Sequence, residues 1–459
     1  MHKLIDNFIR CPILVILWIF FSSNVNADTL NQAMINAFNN SDELKIQRAS
    51  IRETDEKVAI EVAGKRIKIQ AKQNLSTGYS FSTSCGGFCT STTAGASLEA
   101  STSILDGGRA DIKMSIAEAE VKIERSSLKA AEQSVLLTAV KAFMDLRRNM
   151  EFVALEKNSV KLLQKEVQAA QDRFAVGEIT KTDISFAESR LEAAKGKLAN
   201  QTGLLEIAKE QYEMVIGSVP GELDNPPPLP KMPSMLKEAK SLAAQNHSQI
   251  FILKQKVIIA DLALDLSKAS YRPTLDVSGG ISDSSQTSKL STNVSVQATA
   301  VLYTGGSRSS SERSALTAVQ KARSQLLYNT KKIQQTVANR WAQLNIARAL
   351  IVANRKQIKA AETAYRGVKD EAEFGLRTTL DILDAEQSLM AAKVQLASTK
   401  RDEYVAAYEL LKAMGLLTTK NLNLNVEQYD VTKNYKAVRN APRKNQFFKL
   451  DNLLKRWGQ

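Results

Sequence analysis

The sequence predicts an α+β protein in which short strands and very long helices recur twice along one chain. Three observations carry this reading. The stretch "GEITKTDISFAESRLEAAKGKL", Gly177 to Leu198, returns as "GLRTTLDILDAEQSLMAAKVQL", Gly375 to Leu396, with 11 of 22 positions identical. Serine- and threonine-rich segments in each copy alternate apolar and polar residues with the period of a strand. Proline is absent from Ile13 to Val219 and from Thr274 to Ala441, so long uninterrupted helices are permitted there.

At 459 residues, 44% apolar and 24% charged, the chain has the composition of an ordered protein. Lys3 and Arg10 precede an apolar run from Pro12 to Phe21, and "SSNVNA" ends in a small-x-small pattern at Val25 and Ala27, so residues 1–27 read as a secretory signal peptide. No other stretch approaches the ~20 apolar residues that a membrane helix needs. The 198-residue offset of the repeated stretch also carries Gly107-Gly108 onto Gly305-Gly306 and Gly217 onto Gly415, the mark of a tandem duplication. Six of the nine prolines fall in "PGELDNPPPLPKMP", Pro220 to Pro233, a stiff extended connector. The expected organisation is therefore a first repeat over residues 28–219, a Pro-rich linker over 220–234, a second repeat over 235–416 and a basic C-terminal tail over 417–459.

Within each copy the order is the same. A helical segment, about Leu30 to Gly64 or Met235 to Ser270, leads into a strand over Ile67 to Ser82 or Thr274 to Ser284. A second strand follows, in which Ala96, Leu98, Ala100, Thr102 and Ile104 alternate with Ser97, Glu99, Ser101 and Ser103. In the other copy Val294, Val296, Ala298, Ala300 and Leu302 alternate with Ser295, Gln297, Thr299 and Val301. Each strand thus has one apolar and one mostly polar face. Four strands cannot close a barrel alone. After "LDGG" and "YTGG" the helical period returns, and residues 109–176 would span about 100 Å at ~1.5 Å per residue. Val153, Val160, Val167 and Phe174 recur every seven residues, as do Leu155, Leu162, Ala169 and Val176. Two seams suit a helix with a neighbour on either side, as in a ring. After Gly177 a return helix carries Ile184, Leu191, Leu198, Leu205 and Tyr212 at the same spacing.

Cys85 and Cys89 in "SCGGFC" can close a disulfide in an oxidising compartment, or stand as two exposed thiols. Two ligands without a nearby histidine are too few for a metal site. The net charge is +14, and residues Lys433 to Gln459 hold eight Lys or Arg against Asp451 alone, which suits a solvated tail or one resting on acidic lipid headgroups. Export argues against a nucleic-acid partner. Beyond the expected signal peptide the only histidine is His247, so neither a Ser-His-Asp arrangement nor a zinc site can be assembled. No cofactor or enzymatic activity is expected.

The tandem copies, "LDGG", "YTGG", "YRPTLDVSGG" at Tyr271 to Gly280, "RFAVGEITKTD" at Arg173 to Asp183 and "FGLRTTLDILDAE" at Phe374 to Glu386 together resemble the TolC family of outer-membrane channel proteins of type I secretion and multidrug efflux. The resemblance runs from about Asp28 to Gly415; Ile67 stands where the second copy has Pro273. It implies a homotrimer whose twelve strands, four per chain, form one transmembrane β-barrel continued by a 12-helix periplasmic α-barrel. Such a protein is an exit duct, embedded in outer-membrane lipid and served by a periplasmic adaptor (membrane fusion protein) and an inner-membrane transporter. The repeated sentence becomes a helix-turn-helix tip at the periplasmic entrance. The resemblance assigns gate roles to Arg377, as a tether, to Thr182 and Asp183, as its acceptors, and to Asp381 and Asp384, as rings that constrict the entrance. It assigns adaptor docking to the tip turns, at Arg173, Val176, Gly177, Phe374 and Gly375. A tyrosine that assists the tether in some relatives falls at Ala372 here. Asp183 and Asp381 can alternatively serve only as helix caps. The alternative for the whole chain is an exported coiled-coil structural or adhesion protein.

Overall fold

A computed structural model describes residues 28–82, 84, 86–285 and 290–439. The expected signal peptide, Cys85 and residues 440–459 of the expected tail lie outside them. The first half of the chain runs α1 (Leu30–Asn40), α2 (Asp42–Ala63), β1 (Lys68–Ser82), β2 (Gly87–Leu105), α3 (Arg109–Ala175) and α4 (Lys181–Ile216). The second half repeats that order as α5 (Leu236–Asn246), α6 (Ser248–Ala269), β3 (Thr274–Ser284), β4 (Ser291–Thr299), α7 (Ser307–Glu373) and α8 (Thr379–Ala413), followed by α9 (Lys433–Val438). Helices α3 and α7 have 67 residues each, about 100 Å at ~1.5 Å per residue.

The strands form one antiparallel sheet in the order β1-β2-β3-β4, so β1 and β4 are its edges. Its register separates two faces. Ala71 pairs with Leu98 and Leu98 with Ile281, while Thr102 pairs with Val277 and Val277 with Val296, which makes one face apolar. Ser101, Ser278 and Ser295 line the other, where the Ser278 and Ser295 hydroxyls lie 2.8 Å apart. Glu99 is on this polar face, 3.2 Å from Lys72 Nζ. Two expected strand limits change. β2 already begins at Gly87, because β1 and β2 continue to pair beyond the end of β3, and β4 stops at Thr299 rather than reaching Leu302.

Each long helix packs against a shorter one at either end: α3 against α2 and α4, α7 against α6 and α8. The main core lies midway along, where Leu30, Met34 and Phe38 of α1 meet Leu136, Val140 and Phe143 of α3, Tyr212 of α4, Leu344 of α7 and Leu410 of α8. Here the single helical segments expected from Leu30 to Gly64 and from Met235 to Ser270 each break in two. Ser41 caps α2 by accepting from Leu44 N, and His247 Nδ1 caps α6 by accepting from Gln249 N. The breaks have a packing cause: the glycine ends of α4 and α8 press on them. Asn40 Nδ2 donates to the Ile216 carbonyl at 3.0 Å, and Gly415 abuts Asn246 and His247. The proline-rich connector crosses the same level, held by Tyr404 Oη donating to the Pro227 carbonyl at 2.8 Å and Arg147 donating to the Asp224 carbonyl at 2.6 Å.

The segment after α8 starts as packed chain rather than as a tail. Leu417 and Leu424 are buried, Thr419 donates through N and Oγ1 to Glu132 Oε1 at 2.7 Å, and Tyr429 lies under the Arg48 guanidinium. Helix α9 ends this strap on α2 and α3, where Asn434 donates to Asp55 and the Tyr435 hydroxyl to Glu118.

Candidate functional site

The two tips are built alike. At the end of α3 the Gly177 amide donates to Phe174 O at 2.9 Å and the Glu178 amide to Arg173 O at 3.0 Å, which closes the helix. At the end of α7 the Leu376 amide donates to Glu371 O at 3.0 Å. Each following helix opens with a capping box, in which the two residues satisfy each other's free backbone amides. Asp183 Oδ2 accepts from Thr180 N at 2.9 Å while Thr180 Oγ1 accepts from Asp183 N; Asp381 Oδ2 accepts from Thr378 N at 2.9 Å while Thr378 Oγ1 accepts from Asp381 N. The backbone amides of Thr180 and Thr378, aided by their hydroxyls, hold both carboxyls below the usual aspartate range. Both are therefore charged near neutral pH, and both cap a helix.

Outside the boxes the copies diverge. Arg377 Nε donates to Glu371 Oε2 at 2.7 Å, within its own hairpin. It meets neither Thr182 nor Asp183 of the same chain: Thr182 is exposed, and Asp183 is engaged by Thr180. Asp384 pairs with Arg190 Nη2 of α4 at 2.9 Å, and Arg190 also donates to Gln387. This partner falls outside the expected gate set, because nothing in the sequence links positions on different hairpins. At the turns Val176 is 72% and Phe374 81% exposed, beside Gly177 and Gly375. Ala372 is buried.

Behind the tips α3 and α4 meet α8 along a mixed seam. Val160, Leu163, Val167 and Ala170 of α3 cluster with Ala187, Leu191 and Ala194 of α4 and with Leu383 of α8. So the heptad seam at Val153, Val160 and Val167 is buried within the chain, while Leu155, Leu162 and Ala169 remain only half-buried. Further along, Arg401 grips Asp145 with Nε at 2.8 Å and Nη2 at 3.1 Å. Among the described residues no group of three or more His, Cys, Asp or Glu could hold a metal. His247 is occupied as a cap, and Cys89 is disulfide-bonded.

Sequence similarity decides the family to which this arrangement belongs. The outer membrane efflux protein family matches residues 34–218 and 240–416. The chain belongs to that family. The outer membrane efflux protein BepC of Brucella suis biovar 1 (strain 1330) is 30% identical over 423 residues, covering 90% of this chain and 91% of BepC. The proteases secretion protein PrtF of Dickeya chrysanthemi is 26% identical over 293 residues, 58% of this chain and 63% of PrtF. The fold is that of the Campylobacter jejuni CmeC outer membrane channel, with a TM-score of 0.74 at 15% identity over 91% of this chain and 90% of CmeC. The chain is thus a channel protein of the outer membrane and not an enzyme.

Proposed function

We propose that three copies of this efflux protein close one twelve-stranded barrel and one twelve-helix tunnel, through which substrates leave an inner-membrane transporter and its adaptor. The carrying observation is the sheet: four strands, an apolar face and two edges, β1 and β4. An edge left unpaired in lipid costs several kcal/mol for each backbone group. Eight strands, from two chains, would enclose a bore that side chains fill. Twelve strands from three chains leave room for cargo, and α3, α4, α7 and α8 supply four wall helices per chain. The half-buried second seam of α3 and the exposed Leu327, Ile346 and Val352 of α7 suit neighbouring chains in such a ring.

On this reading residues 28–219 and 235–416 are the two repeats, joined by residues 220–234, and each contributes one hairpin to the entrance. Arg377, Thr182, Asp183, Asp381 and Asp384 form the gate; Asp183 and Asp381 combine gating with capping. The exposed apolar tips at Val176 and Phe374, with Arg173, Gly177 and Gly375, receive the adaptor. The sequence offers Cys85, outside the described residues, as the partner for the disulfide at Cys89. Both efflux and secretion are compatible with the relatives' names, BepC being an efflux protein and PrtF a secretion protein.

The test is removal of Ser295–Tyr303, which deletes most of β4 and all of its pairing with β3 below Val294. Trimers are expected to vanish from outer-membrane fractions, leaving degraded or aggregated protein. A stable soluble trimer from this deletion would exclude a barrel closed between chains.

A further inference from the structure

Glu386 lies on α8 where it meets α3, at 6% exposure, and accepts from Ser159 Oγ at 2.8 Å. A carboxylate in such a place is costly unless paired, and one neutral hydroxyl is a weak partner for a full charge. The groups around it do not form a salt bridge with it. Glu156 comes from α3, Arg190 and Lys197 from α4, and Tyr365 from α7; Asp384 shares its own helix and is already paired with Arg190. The Tyr365 hydroxyl is buried and has no hydrogen-bond partner among the described residues. Glu386 also borders a cavity of about 320 Å³ lined by Arg190, Lys197 and Gln387, large enough for several waters and so for proton exchange with bulk.

We propose that the proton on Glu386 sets how tightly the α7–α8 hairpin is seated on the α3–α4 hairpin: protonated, α8 packs on Ser159; ionised, it is driven off. The consequence for conduction rests on the reading of these tips as the gate. Burial, reinforced by the Glu156 charge and opposed by the Ser159 bond, Lys197 and Arg190, holds the carboxyl above the usual glutamate range. The sign follows from linkage. A carboxyl that binds its proton more tightly when seated favours the seated state at low pH, and that preference is lost as pH rises from the ordinary glutamate value of about 4.3 through the seated value. Acid therefore closes and neutral pH loosens.

The experiment places spin labels at Lys157 and Ser388, both exposed, in the purified full-length trimer and reads the α3–α8 distance between pH 4 and pH 8. The distance is expected to lengthen with rising pH in the otherwise native protein and to stay short at every pH in Glu386→Gln, the neutral isostere. Ser159→Ala removes the bond that favours the ionised form, so its transition is expected at higher pH than in the native protein. This second variant retains the carboxyl and reports even where Glu386→Gln does not assemble. A distance that does not change with pH, a response that persists in Glu386→Gln, or a midpoint unmoved by Ser159→Ala overturns the proposal. Single-channel conductance on the same samples separates the two readings: a seam that opens with pH while conductance stays constant supports the latch and removes the gate.

Discussion

Gly415→Ala is expected to destabilise the folded channel by of order 3 kcal/mol or more, and Gly217→Ala by clearly less. Both glycines end a return helix in the left-handed region, with φ of +74° at Gly415 and +82° at Gly217. Any L-residue there carries strain of roughly 1–2 kcal/mol. What differs is the neighbour. A Cβ on Gly415 would lie 2.5 Å from Asn246 O and 2.8 Å from His247 Cα, backbone atoms at the α5–α6 break that cannot rotate aside. A Cβ on Gly217 would lie 2.6 Å from Asn40 Nδ2, which can swing away at the loss of its bond to Ile216 O, worth about 1 kcal/mol. Thermal melting of the purified variants by circular dichroism measures the difference. Equal losses would mean that backbone strain dominates and that the close approach of α8 to the α5–α6 break carries little energy.

The α5–α6 break and its surroundings separate the local signals in the sequence from the tertiary ones. The duplication, the glycine stops, the strand alternation and the tip caps are local signals, and the structure has helix ends at Gly177, Gly217, Gly375 and Gly415 and capping boxes at Thr180 and Thr378. The breaks at Ser41 and His247 are not legible in the apolar periodicity, which continues across them. One local signal was present, since Ser41 followed by Asp42, Glu43 and Leu44 is a helix start. At His247 the local signal is weaker, Asn246 and Ser248 on either side of it, and the pressure of Gly415 on Asn246 is tertiary. After Gly415 the basic charge dominates the sequence, and it masks Leu417 and Leu424, the two buried leucines that fasten the segment. Arg190 with Asp384 and Ser159 with Glu386 join positions 194 and 227 residues apart, on different hairpins. Periodicity places each residue on a helix face, but which faces meet depends on how the hairpins pack.

Arg377→Ser and Glu371→Gln are expected to change single-channel conductance in opposite directions. Arg377 occupies a position held by Ile179 in the first copy, as a one-sided tether requires. Within its own chain its Nε donates to Glu371 Oε2 at 2.7 Å, which fixes where the guanidinium points, and both side chains are about half-exposed. A tether to Thr182 or Asp183 of the neighbouring chain must therefore draw the side chain away from the position in which Glu371 holds it. Removing the arginine releases the entrance, so conductance in planar bilayers should rise several-fold. Neutralising Glu371 instead frees the arginine for its neighbour, so the closed state should lengthen and conductance should fall. Salt distinguishes this steric effect from the field of the aspartates. In Asp381→Asn with Asp384→Asn the loss of cation selectivity should fade at high salt, because fields across water are screened over ~10 Å at 0.1 M. The conductance gain of Arg377→Ser should persist there, since a released helix pair remains released. If Arg377 only staples the end of α7 to the turn, both substitutions loosen the same turn and conductance moves the same way in each. That result would leave Arg377 as a local brace and remove it from the gate.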